Sequence, residues 1–179
     1  MKKEVVSKVA VIIAICIATV ALVIGFVTVN KLSKISPKGD SNDTKYSLYF
    51  DKNSFKETPL GKTMTDKKNS GVSGTNITGM IALKEEGDSI NYTWNIVNNG
   101  TVSAKLVEEP ELLGLNDNDK DAIEYEVYIN DESVSKGLEI GAGEIATAKL
   151  VVRYKKNSST VINPATIQVI SLTFNFTQK

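Results

Sequence analysis

The sequence predicts an all-β protein, an antiparallel β-sandwich of about seven to eight strands preceded by one N-terminal transmembrane helix. Three observations carry this. Beyond residue 44, apolar and polar side chains alternate with a period of two in several separate runs, each bounded by Gly, Asn or Pro. A strand sends successive side chains to opposite faces, so such runs each build one buried and one wet face. Beyond residue 38 no run shows the spacing of an amphipathic helix. Before it, one long stretch contains no charge at all.

That stretch is Val9–Asn30, within which Val9, Ile13, Ile17, Leu22 and Phe26 are membrane-facing candidates. At 1.5 Å per residue it reaches roughly 33 Å, enough for a hydrocarbon core of ~30 Å. Residues 1–8 form a basic lead, 9–30 the signal anchor, 31–44 a polar stalk with Pro37 and Gly39, and 45–179 the ectodomain. A cleaved signal peptide is the rival reading, but its apolar region is normally ~7–15 residues long. No small-x-small cleavage site closes the run here. Lysines flank both sides equally, so length rather than charge decides for a cytoplasmic N-terminus and an extracellular C-terminal domain. The expected location is the cell membrane, crossed once, with the lipid bilayer as the first partner.

Within the ectodomain, Tyr46, Leu48 and Phe50 alternate as a first strand. Residues 51–75 are polar and aperiodic, so they hold either a short strand near Ser54–Leu60 or a surface loop. Asn76–Leu83 resumes the pattern. The central stretch is Ser89–Val107, where Ile90, Tyr92, Trp94 and Ile96 share one parity and Val102, Ala104 and Leu106 follow Asn98-Asn99-Gly100. Asn-Gly tolerates the positive φ of a tight turn, so this reads as a β-hairpin. It holds the only Trp, and a buried Trp brings roughly 150–250 Å² to a core. Tyr92, Trp94 and Ile96 are therefore the expected core. Further strands are read at Ile123–Asn130, Leu138–Ile140, Ile145–Tyr154 and from Ile170 to Thr177.

Composition excludes several functions. Equal numbers of basic and acidic residues, 21 each, hide an asymmetry, since residues 1–38 hold six Lys and one Glu. The rest is acidic, a poor match for nucleic acid, whose affinity rests on neutralised phosphates. The chain has no His, and its one Cys, Cys16, lies in the apolar run. Histidine-based catalysis, histidine metal ligation and an intrachain disulfide are excluded together. No nucleophile elbow, phosphate loop or zinc motif occurs, so no catalytic residue and no cofactor is expected.

Asp117, Asp119 and Asp121 at alternate positions resemble the first half of a Ca²⁺ loop. An EF-hand needs Gly at the sixth position and Glu at the twelfth, where this chain has Ala122 and Tyr128. A looser Ca²⁺ loop and a plain acidic turn both stay open. Six Asn-x-Ser/Thr sequons, at Asn42, Asn76, Asn91, Asn99, Asn157 and Asn175, would matter in a eukaryotic secreted protein.

Three stretches also carry a resemblance. ALKEEGDSINYTWNIVNNGTVSAKL, LEIGAGEIATAKLVVRYK and INPATIQVISLTFNFTQK resemble the turn and strand patterns of TasA/camelysin-like exported proteins of low-GC Gram-positive bacteria. The likeness covers about residues 80–179. It implies an exported sandwich of jelly-roll or immunoglobulin-like form with biofilm-matrix, fibre or surface roles. Part of that family carries a metallopeptidase label, but zinc needs several nitrogen, sulfur or carboxylate ligands, and this chain offers no His and only the Cys of the apolar run. The expected function is thus a membrane-anchored, non-catalytic surface protein with a structural, matrix or adhesive role. The alternatives are an extracellular module binding a glycan or small ligand through its loops and, behind that, a camelysin-like peptidase. A homo-oligomer or fibre by strand addition through Tyr46, Leu48 and Phe50 is a further expectation, because a short strand behind a stalk has few contacts with its own sandwich.

Overall fold

The computed structural model describes residues 44–117, 119–163 and 167–179. All of them belong to one compact unit, Asn42–Lys179. The anchor candidates Val9, Ile13, Ile17, Leu22 and Phe26, and Cys16, lie outside the described residues. Among the described residues there is no helix, and none is therefore long and apolar enough to cross a membrane.

The unit is all-β, with antiparallel pairing throughout. Its thirteen strands are β1 (Leu48–Leu60), β2 (Met64–Thr65), β3 (Gly71–Ser73), β4 (Asn76–Ala82), β5 (Ser89–Asn98), β6 (Ala104–Leu106), β7 (Leu112–Leu113), β8 (Ile123–Ile129), β9 (Glu132–Ser133), β10 (Glu139–Ile140), β11 (Ile145–Tyr154), β12 (Gln168–Thr173) and β13 (Phe176–Gln178). One sheet runs β1-β5-β11-β8-β9. A second runs β2-β4-β12-β7, with β3 also on β4, and a third runs β10-β6-β13. The expected seven or eight strands become thirteen because several are bridges of two residues, too short for alternation to reveal.

Buried side chains from all three sheets form one core, an arrangement consistent with a β-sandwich. On β5 the alternation is nearly perfect, with Ile90, Tyr92, Trp94 and Ile96 almost fully buried. Trp94 lies 5.5 Å from Phe50 of β1 and 5.9 Å from Phe174 after β12, ring centre to ring centre. Phe50 and Phe174 meet edge-on at 5.3 Å. Tilted and edge-to-face pairs suit the ring quadrupoles, so this trio ties the β1-β5 sheet to the end of β12.

The expected hairpin over Ser89–Val107 is not formed. Strand β5 pairs with β1 and β11, whereas β6 pairs with β10 and β13. The reason is Asn98, which is fully buried. Its Nδ2 donates to the carbonyls of Val102, Ile140 and Gly141 at 2.9, 3.1 and 2.9 Å. Its Oδ1 accepts from the Gly100 N–H at 3.1 Å. The amide thus turns the chain out of one sheet and into another. Gly100 is required for closeness, not for positive φ: a Cβ there would overlap the Lys45 carbonyl. The primed turn sits elsewhere, at Asn130 and Asp131 (φ 53° and 64°) between β8 and β9.

The first strand also differs from expectation. It begins at Leu48, leaves Tyr46 outside, and continues through the stretch read as aperiodic. Leu48–Asp51 pair with Asn95–Asn98, and Phe50 is 2 % exposed. The premise that this segment has few contacts with its own domain is therefore corrected.

Candidate functional site

Strand β1 pairs with β5 from Leu48↔Asn98 to Asp51↔Asn95, and again from Lys56↔Thr93 to Leu60↔Ser89. Between these runs, residues 52–55 of β1 stand opposite Trp94 alone. Such a bulge bends its strand and re-aims side chains. Ser54 fills the gap left in the ladder: its Oγ accepts from the Asn95 N–H at 2.8 Å and donates to the Asp51 carbonyl at 2.6 Å. Asp51 Oδ1 in turn accepts from the Asn53 N–H at 3.0 Å.

The bulge opens a shallow cleft of about 420 Å³ on the outer face of the sheet, lined by Asp51, Asn53, Ser54, Lys56, Thr93, Asn95, Thr147 and the backbone side of Trp94. The size falls at the lower end of small-ligand sites. On β11, the Thr147 hydroxyl donates to Asn95 Oδ1 at 3.4 Å, and its N–H donates to Asn130 Oδ1 at 2.9 Å. Beside the cleft, Lys149 Nζ stands 4.7 Å from the centre of the Tyr128 ring. On its other side, Tyr49, Val97 and Ile145 form one row across three strands, with Tyr49 44 % and Ile145 62 % exposed.

This surface can hydrogen-bond in both directions, through amides, hydroxyls, one ammonium and one carboxylate. It does not assemble a nucleophile, because the Ser54 hydroxyl donates to a main-chain carbonyl and not to a side-chain base.

The three aspartates do not converge. Asp117 pairs with Lys120 at 2.6 Å. Asp119 is buried and accepts from Gln168 Nε2 at 2.5 Å, while Gln168 Oε1 accepts from the Asn116 N–H at 2.9 Å. Asp121 is exposed, and its main-chain carbonyl accepts from Lys155 Nζ at 2.7 Å. Asp119 is thus a clamp that fixes its loop to β12. Among the described residues, no three metal-ligating side chains are gathered.

Of the sequons, Asn99 and Asn157 are exposed in turns, while Asn76 accepts from Ser171 and Thr173 at 3.1 and 3.3 Å. Asn42 lies outside the described residues.

Sequence reasoning missed the bulge and its cleft, although a signal was present. The inward residues of β1 change parity, from Leu48 and Phe50 to Phe55 and Glu57. Only an irregular insertion can do that to a strand that stays in one sheet.

Compared with known proteins, the chain matches no family model, no curated protein and no solved structure.

Proposed function

We propose that this chain is a membrane-anchored surface protein whose β unit has a structural, matrix or adhesive role and performs no catalysis. The observation that carries the reading is the uncharged run Val9–Asn30, followed by a polar stalk and then by a single all-β unit. The TasA/camelysin-like turn and strand patterns support it, as does a jelly-roll or immunoglobulin-like reading of the sheets. A unit of this kind, held at the surface by its N-terminus, presents its sheet faces and edges outward. Two measurements test the reading in cells expressing the chain. The protein is expected to resist carbonate extraction, and protease added to intact cells is expected to remove the β unit. A soluble protein whose mature N-terminus lies between Ala21 and Asp43 would replace the anchor by a cleaved signal.

The cleft over the β1 bulge favours a second reading, an extracellular module that binds a glycan. Its amides and hydroxyls match the paired donors and acceptors of sugar hydroxyls. Titration with a neutral oligosaccharide such as chitotetraose should shift the amide NMR signals of Thr93, Asn95 and Thr147. Shifts elsewhere, or none, argue for the first reading.

A further inference from the structure

The described charges are segregated. Residues 45–84 hold seven Lys against Asp51, Glu57 and Asp66, whereas residues 107–133 hold ten acidic groups and one Lys. The topology turns this sequence asymmetry into a spatial one. Strand β1 is one edge of its sheet, and β2 and β3 lie together at one edge of theirs. The Phe50 N–H donates to the Gly74 carbonyl at 2.9 Å, so these edges meet on one side. Strands β8 and β9 close the opposite edge of the first sheet, and β7 the opposite edge of the second. The loop joining β7 to β8 keeps them on one side, fixed to β12 by Asp119 and Gln168.

On the lysine side, Lys52, Lys56, Lys67 and Lys68 are exposed and enter no ion pair among the described residues. On the acidic side, the same holds for Glu109, Glu111, Asp121 and Glu132. Arg153 and Lys149 offset part of the acidic charge by pairing with Glu124 at 2.8 Å and Asp131 at 3.8 Å. Glu126 stands 3.9 Å from Arg153, Asp117 pairs with Lys120 and Asp119 is buried against Gln168, so the surplus lies with exposed acids such as Glu109, Glu111, Asp121 and Glu132.

We propose that the lysine edge of one copy docks on the acidic edge of a second copy. Charge complementarity selects this partner, because one molecule carries both halves of the match on opposite sides. The contact is heterologous, so it leaves a free edge of each sign and extends into open rows unless the rotation closes a ring. It is side-by-side docking between folded units and exchanges no strand. That fits β1, whose bulge, edge lysines and Pro59 all discourage main-chain pairing with another chain. The inference rests on charge and topology alone and stands apart from the anchoring proposed above.

Sedimentation of the full chain in neutral detergent tests it. Charges interact over ~30 Å at 0.01 M salt and only 3 Å at 1 M. Association is expected at the low salt and to weaken at least about tenfold at the high one. K52E/K56E/K67E/K68E makes both edges acidic, and E109K/E111K/D121K/E132K makes both basic. Each variant alone should stay monomeric, and an equal mixture of the two should associate again. That rescue separates the proposal from damage to folding, which mixing cannot repair. Wild-type protein that is monomeric at low salt overturns the proposal, as does salt-independent association or a mixture that stays monomeric. Capture of polyglutamate by the wild-type chain without self-association also overturns it, by giving the lysine edge a polyanion as partner.

Discussion

Asn98 shows how one side chain can redirect a chain. It bonds three carbonyls and one N–H inside the protein, and of these the Gly141 carbonyl also accepts from the Glu144 N–H. Asn98→Ala should cost about 3 kcal/mol in urea unfolding, and Asn98→Asp more, because a carboxylate would then face three carbonyl oxygens. A loss below about 1 kcal/mol for the Asp variant would mean that this amide is not the device that turns the chain. Asp88 acts similarly at the other end of β5. It is buried, and its carboxylate accepts from the N–H groups of Lys62, Lys84 and Glu85 at 2.8, 2.9 and 3.0 Å. Burial pushes its pKa up, but these donors outweigh burial and hold it below the usual carboxylate value. A lowered folded pKa contributes stability above the unfolded value of about 3.9, and that contribution is lost as pH falls through the folded pKa. Asp88→Asn should therefore flatten the acid limb of stability against pH. An unchanged acid limb would assign it to other carboxylates.

At the scale of the element, β1 holds the main tension in the fold. Its first part is well anchored by Phe50, but residues 56–60 are mostly exposed and end in Pro59 and Leu60. Glu57 points inward there, opposite Tyr92, with both carboxylate oxygens buried and no hydrogen-bond partner. The Tyr92 hydroxyl is likewise buried without a partner, and burial first, then the Glu57 charge, push its pKa up. An inward charge without a partner destabilises the strand that carries it. Glu57→Leu should raise stability by about 1–2 kcal/mol and slow amide exchange across residues 56–60. Faster exchange in that variant would show that the carboxylate holds β1 down. The same element shows what a sequence reveals. Regular alternation made β5, β11 and the buried Trp94 legible, because period-two burial leaves a period-two pattern. The strand through residues 51–60 was legible only as one of two alternatives, a short strand near Ser54–Leu60 or a loop, since its bulge flips the inward parity and Glu57 occupies an inward position. The cleft was hidden for the same reason. The aspartate run was legible as acidic but not as a clamp, because its partner Gln168 lies 49 positions away.

For the whole molecule, the question is whether its sheets fold as one body. Trp94 answers it by position: it contacts Phe50 on one sheet and Phe174 beyond another, and it is 1 % exposed. Its indole N–H has no hydrogen-bond partner, so the ring contributes through packing rather than polarity. Trp94→Ala should then cost roughly 3–5 kcal/mol and Trp94→Phe clearly less, about 2 kcal/mol. A core shared by all three sheets leaves neither β1-β5-β11-β8-β9 nor its neighbours a separate core of its own. The fragment 42–179 should consequently unfold in urea as one transition, with Trp94 fluorescence and far-ultraviolet circular dichroism giving the same midpoint. Cys16 is the single Cys and lies outside that fragment, so a reducing agent should leave the midpoint unchanged. Fluorescence that falls clearly before circular dichroism would show the sheets parting around Trp94 while their strands stay paired, and the single shared core would be wrong.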